Sequence, residues 1–204
     1  MGAVDWGLAE KVAVRSAGRE PFAESYHYES LSRDFLELTS LAEDQVAEAT
    51  GLRSLTGTAR ARVTDRQGWV RANIASFQRL LRPITPRLDE HLASNALAPV
   101  ASRVAGAEVG VILGWMSSRV LGQYDLLVVE DENPEDQDLV YYVGPNVIAL
   151  EKRSGFPPRE FRHWLALHEV THRAQFTGIP WMREHFIGLV QQTVDSLAPA
   201  PKRL

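Results

Sequence analysis

Cysteine is absent from the 204 residues, so the chain can form no disulfide, hold no metal through a thiolate and use no thiol nucleophile. Any metal must therefore be held by His, Asp or Glu. A long apolar run is missing too. The longest, Val109 to Met116, is bracketed by Glu108 and Arg119 and falls far short of the ~20 residues that cross a bilayer. Excess positive charge is also lacking: at a net charge of -4 the chain has no field to draw in a polyanion, and neither nucleic acid nor membrane is an expected partner. The first residues carry Asp5, Glu10 and Lys11 where a secretory signal needs an unbroken apolar stretch, so a cytoplasmic setting is expected. Internal repeats and low-complexity linkers are not found.

What is present is ordinary for a globular protein, with 45% hydrophobic and 24% charged residues. The length suits one domain, taken here as residues 1–198 with a frayed tail at 199–204. Apolar residues at helical spacing predict helices over about 5–17 and 31–50, the second closed by Gly51. A third, over 68–95, should break or kink near Pro83 and Pro86, because proline lacks a backbone donor and clashes with the preceding turn. A fourth, over 99–122, carries Gly106, Gly110 and Gly114 along one side, a spacing that lets another backbone approach closely. Strands are expected near 58–65, 125–129 and 139–143, the last two joined by the acidic loop 130–137. The fold class is mainly α: a helical domain with a minor β hairpin.

The chemistry lies in the segment 156–181. Pro157 and Pro158 suit a first turn, Glu160 complements the positive end of the helix dipole and Arg173 the negative end, and Gly178 and Pro180 stop the helix. Phe161, Trp164, Leu165, His168, His172 and Phe176 fall on one stripe, which predicts that both histidines point inward. Imidazoles at i and i+4 stand one turn apart on the same face and can converge on one cation about 2.0–2.1 Å from each. Glu169 directly follows the first, about 100° round the helix, close enough to reach a metal-bound water without ligating the ion. The metal lowers the pKa of such a water toward ~7, and a carboxylate there can take its proton as the oxygen attacks a carbonyl. HEVTH thus reads as two zinc ligands, His168 and His172, and a general base, Glu169. The resulting activity is hydrolysis of an amide or related carbonyl bond, with a peptide or small amide as substrate.

Other readings are open at this point. Two histidines on an amphipathic helix can be hydrogen-bonded core residues, which would make the chain a non-catalytic helical metal-binding or interaction module. Glu169 with His172, Glu160 with His163 and Glu24 with His27 are also ExxH pairs of the kind that build di-iron sites. His163 faces away from His172, however, and Glu24 sits just after Pro21. A catalytic zinc normally takes three protein ligands, and HEVTH supplies two. Six residues after His172 stands Gly178, where a metzincin has its third histidine. On the following helix Glu184 and Asp195 fall opposite the apolar stripe, His185 lies at its margin, and Glu108 shares a face with Val104, Val111 and Trp115. His185 and Glu108 are therefore the weak candidates for a third ligand. His27 and His91 have no identifiable partners.

Five segments together resemble a zincin-like hydrolase family of actinobacteria and Chloroflexi, one branch of which is associated with deazaflavin-coenzyme biosynthesis. They are VDW at 4–6, DRQGWVRANIASF at 65–77, LGWMSSRVLGQYD at 113–125, VGPNVIALE at 143–151 and FRHWLALHEVTHRAQFTGIPWMREH at 161–185. The resemblance implies a predominantly helical fold with a small β element beside the HExxH helix. It also implies zinc on His168 and His172 with Glu169 as base, and a hydrolase whose substrate is not defined. Arg71, Asn73, Arg119, Gln123, Tyr124, Asp125 and Asn146 lie in these segments without an assigned role. Asn73 and Gln123 could shape a cleft, but capping or backbone pairing is the preferred reading. Members of that family continue through further helices, one with a Glu-Gly-His segment that looks like the source of the third ligand. The expectation is therefore of a C-terminally incomplete member, weak or inert alone.

Overall fold

The computed structural model describes residues 2–22, 26–82, 84–86, 89, 97–126 and 138–197, with only the backbone of Tyr26, His27 and Leu197. The described elements are α1 (Trp6–Ser16), α2 (Tyr26–Thr50), β1 (Arg60–Thr64), α3 (Arg66–Leu81), α4 (Ala98–Ser117), β2 (Gly122–Tyr124), β3 (Leu139–Val143), α5 (Gly144–Ser154), α6 (Pro158–Gly178) and α7 (Met182–Leu197). The class is mainly α, as expected. Among the described residues no helix is long and apolar enough to cross a membrane. The acidic loop 130–137 and His91 lie outside the described residues. Contacts divide the chain into two compact units, one of residues 1–18, 70–117 and 184–204, the other of 19–69 and 118–183.

In the first unit α1 lies against α4. Asp5 caps α1 by accepting from the Leu8 N–H at 2.9 Å. Gly106, Gly110 and Gly114 form the contact: a Cβ there would come within 2.4 Å of Asp5 O, 2.6 Å of Ala9 O and 2.6 Å of Ala13 O. Two rows of small residues at i+4 spacing thus meet, and the glycine spacing marks tight packing, as read from the sequence. The opposite face of α4 is open. Val104, Val111 and Trp115 are each more than half exposed, and Glu108, which shares their face, is exposed with them. Glu108 is therefore not inward. The apolar character of its face is real, but the glycine face is the one that is covered.

The second unit holds the HExxH helix. Its sheet has the order β1-β3-β2, with β2 antiparallel and β1 parallel to the central β3. The expected hairpin is present and β1 joins it as a third strand. β3 (LVYYV) is buried at every residue, which suits a strand paired on both edges and covered by helices. Tyr142 stacks on Phe35 of α2 and its hydroxyl shares a 2.8 Å hydrogen bond with Thr39 Oγ1. Helix α5 follows β3 without a loop. Gly144 makes that junction possible, since a Cβ there would meet Tyr28 Cε2 at 2.6 Å. Two local expectations are corrected: α4 stops at Ser117, and among the described residues the strand antiparallel to β3 is Gly122–Tyr124, residues 127–129 of the expected 125–129 lying outside them. Helix α3 ends at Leu81, at the break expected near Pro83.

Candidate active site

Helix α6 packs on α2 and on the sheet, and two buried arginines set its rotation. Arg162 donates from Nε and Nη2 to Glu151 of α5 at 2.7 and 2.9 Å, and from Nη1 to Asp34 of α2. Arg173 donates to Asp138 at the start of β3, to Glu43 of α2 at 2.7 Å and to Gly57 O at 2.9 Å. Eleven residues are close to three turns, so both guanidinium groups leave the helix on nearly the same side. Arg173 is thus no dipole complement in an exposed last turn; it is 1% exposed and ion-paired.

This rotation overturns the inward orientation expected of the histidines. The buried residues of α6 are Phe161, Arg162, Leu165, Ala166, Glu169, Val170, Arg173 and Ala174. Their mean direction is about 100°, one residue step, from the stripe predicted by apolar residues alone. His168 and His172 are consequently exposed, as is Trp164. Their rings stand in a T arrangement with centroids 4.8 Å apart, beside a shallow depression of about 230 Å³ lined also by Trp164, Leu167, Thr171 and Gln175. Partial burial, and secondly the charge of His172, hold the His168 imidazole below its usual pKa, favouring the neutral form that ligates metal.

Glu169 is the buried member of the motif, 5% exposed. It lies under β2, and its carboxylate accepts the backbone N–H of Tyr124. Burial pushes its pKa up to about 7, against that hydrogen bond, which favours the ionised form. A carboxyl poised there can both take and return a proton near neutral pH. Gly122 makes the room: a Cβ on it would lie 2.7 Å from Glu169 Oε1 and 2.8 Å from Cγ.

The remaining sequence candidates sort into supporting roles. Gln123 Oε1 accepts from Trp69 Nε1 at 2.8 Å, which is structural pairing. Asn146 accepts from Arg66 Nε at 2.8 Å and donates to Val120 O at 2.7 Å, tying α3 and α5 to the segment that leads into β2. Tyr124 stacks on Phe176 at 6.4 Å, and Asp125 is buried, its backbone N–H donating to Leu139 O at 3.3 Å. Asn73 is buried, Arg71 pairs with Glu10 at 3.0 Å on the surface, and Arg119 donates to Ser118 Oγ at 3.0 Å. His163 shares a 2.7 Å hydrogen bond with Gln45, and His185 is exposed. Among the described residues no three His, Cys, Asp or Glu form a group placed to hold a metal. The donor set fits zinc in two positions, His168 and His172. Sequence reasoning missed Gly122, Arg162 and Arg173.

The candidate site is thus an exposed imidazole pair one turn apart on a helix, with a buried carboxylate between them in sequence under a short edge strand. Residues 4–204 match the zincin-like metallopeptidase family, and the chain belongs to it. It is also similar to a solved structure from Chloroflexus aurantiacus described as an inferred hydrolase with a novel fold. The two superpose with a TM-score of 0.70 at 29% identity, covering 95% of this chain and 60% of that one. This chain therefore spans less than two thirds of its neighbour's length. No curated protein matches it.

Proposed function

We propose that the chain is a zinc-dependent hydrolase of amide or related carbonyl bonds, with a peptide or small amide as substrate. The observation that carries this reading is the division of the motif between two environments. His168 and His172 are solvent-facing with their rings 4.8 Å apart, while Glu169 is buried and its pKa raised to about 7. A core-histidine role would bury the rings instead. His168 and His172 would hold the metal; a catalytic zinc takes three protein donors, and among the described residues no third stands with this pair. Bound zinc supplies Lewis acidity toward water and the scissile carbonyl. Glu169 accepts the proton of the attacking water and passes it to the leaving nitrogen. The Tyr124 N–H fixes which way the carboxylate faces, and β2 shields it from bulk solvent.

Zinc content of protein purified without added metal, together with two variants, tests this. Wild type and Glu169→Gln should carry zinc, His168→Ala/His172→Ala should not, and cleavage of a panel of peptides and small amides, weak in this chain with two of three ligands in place, should come from wild type alone. Protein with no zinc affinity would leave the helical interaction module as the better account. Loss of zinc in Glu169→Gln would make Glu169 a ligand and overturn its role as base.

A further inference from the structure

Helix α6 has a second flank beside the histidine pair. Leu167 and Thr171 stand about 100° round the helix from His168 and His172, on the side opposite Glu169. They line the depression at the histidines and also an open groove of about 570 Å³ between α6 and the C-terminal end of α2. The groove runs across Val46, Ala49 and Thr50, and the His163–Gln45 pair bounds it one turn before Leu167. Its two threonines offer little polarity. Thr171 Oγ1 donates to Leu167 O at 2.6 Å and Thr50 Oγ1 to Val46 O at 2.6 Å, so each hydroxyl is bonded within its own helix. The lining that remains is largely carbon, with the Glu48 carboxylate at the rim to disfavour anions.

Resting on the hydrolase reading above, we propose that this groove is the substrate's side-chain subsite. Its occupant is an aliphatic side chain of a peptide or acyl amide whose scissile carbonyl lies at His168 and His172. Continuity carries the assignment, because Leu167 and Thr171 belong to both depressions. The position also suits the chemistry: the side chain lies on one flank of the imidazoles and the proton carrier Glu169 on the other, so neither obstructs the other. An apolar group of four or five carbons would exchange water for Val46, Ala49 and Leu167.

Two probes on the zinc-loaded chain test this by calorimetry, acetohydroxamate and the hydroxamate of 4-methylpentanoic acid. The longer probe should bind about tenfold or more tightly, through burial of its extra carbons. Ala49→Trp, at an exposed position, should abolish that advantage and leave acetohydroxamate unchanged, whereas Thr171→Val should preserve it. Equal affinity for both probes, or an advantage untouched by Ala49→Trp, overturns the subsite. Metal-free protein gives the independent arm: 4-methylpentanamide, but not acetamide, should shift the methyl resonances of Val46, Ala49 and Leu167. Those shifts in a chain that takes up no zinc would sink the hydrolase reading and leave the groove standing. Their absence overturns the groove whether or not zinc binds.

Discussion

Gly122 and Glu169 are in direct apposition: the α-carbon of the glycine sits where a Cβ would fall 2.7 Å from the carboxylate Oε1. One residue of a three-residue edge strand thereby sets how deeply the carboxylate is buried. Gly122→Ala should displace either β2 or the Glu169 side chain and cost about 1–3 kcal/mol of stability. The cause is steric and local, so Gly122→Ala in a Glu169→Ala background should cost far less. A denaturation double-mutant cycle measures this. Additive effects would show that the glycine is required for its backbone and not for Glu169.

Arg173 should be the most sensitive surface-to-core anchor of α6. Its guanidinium is 1% exposed and meets Asp138, Glu43 and Gly57 O. Arg173→Met leaves two carboxylates without their cation, a change expected to cost about 3 kcal/mol or more. Arg173→Lys keeps the charge but cannot reproduce the fork on Asp138, and should fall between. Urea midpoints give the order. A neutral Arg173→Met would mean that the rotation of α6 is held by apolar packing alone.

The glycine seam of α4 predicts a different kind of failure. At Gly110 a Cβ would lie 2.6 Å from Ala9 O and 2.7 Å from Val12 Cβ, both on α1, so the obstacle is partly backbone. Gly110→Val must separate the helices, and a loss of about 2 kcal/mol or more is expected from overpacking. Gly188 on α7 faces open space, and Gly188→Ala should instead stabilise slightly through helix propensity. Thermal melts of the two variants should move in opposite directions. A Gly110→Val protein as stable as wild type would remove the close-packing account.

The legible parts of this fold are those with local causes. HEVTH is a spacing within one helix, Gly106, Gly110 and Gly114 a spacing within another, and β3 a continuous apolar run; each was readable and each is where it was expected. Helix α5 was not, because GPNVIALEKRS opens with Gly-Pro, which reads as a turn until one sees that the helix leaves β3 directly. The rotation of α6 failed for another reason. Its buried face carries Arg162, Glu169 and Arg173, which count as polar in any periodicity. Their partners Asp34, Glu43, Asp138 and Glu151 lie 11 to 130 residues away in sequence. A stripe built only from apolar positions therefore turned the histidines inward, when buried ion pairs turn them out.

The acidity of Glu169 gives the last prediction, for the chain stripped of metal with a chelator. Its carboxyl is buried, and its pKa is raised from 4.5 to about 7, chiefly by desolvation. The unfolded chain loses this proton near 4.5, whereas the folded chain keeps it until about 7. Below about pH 4.5 both states are protonated and the contribution to stability is fully present. As pH rises toward 7 the unfolded state is favoured by its freed carboxylate, so stability declines by up to about 3 kcal/mol and levels off above. Glu169→Gln cannot ionise and still offers an oxygen to the Tyr124 N–H, so it should erase that decline and be the more stable protein at pH 8. Urea midpoints of both proteins from pH 4 to 8 decide the matter. Curves that run parallel across the interval would mean that the carboxylate is solvated in the folded chain, and that β2 does not seal it from water.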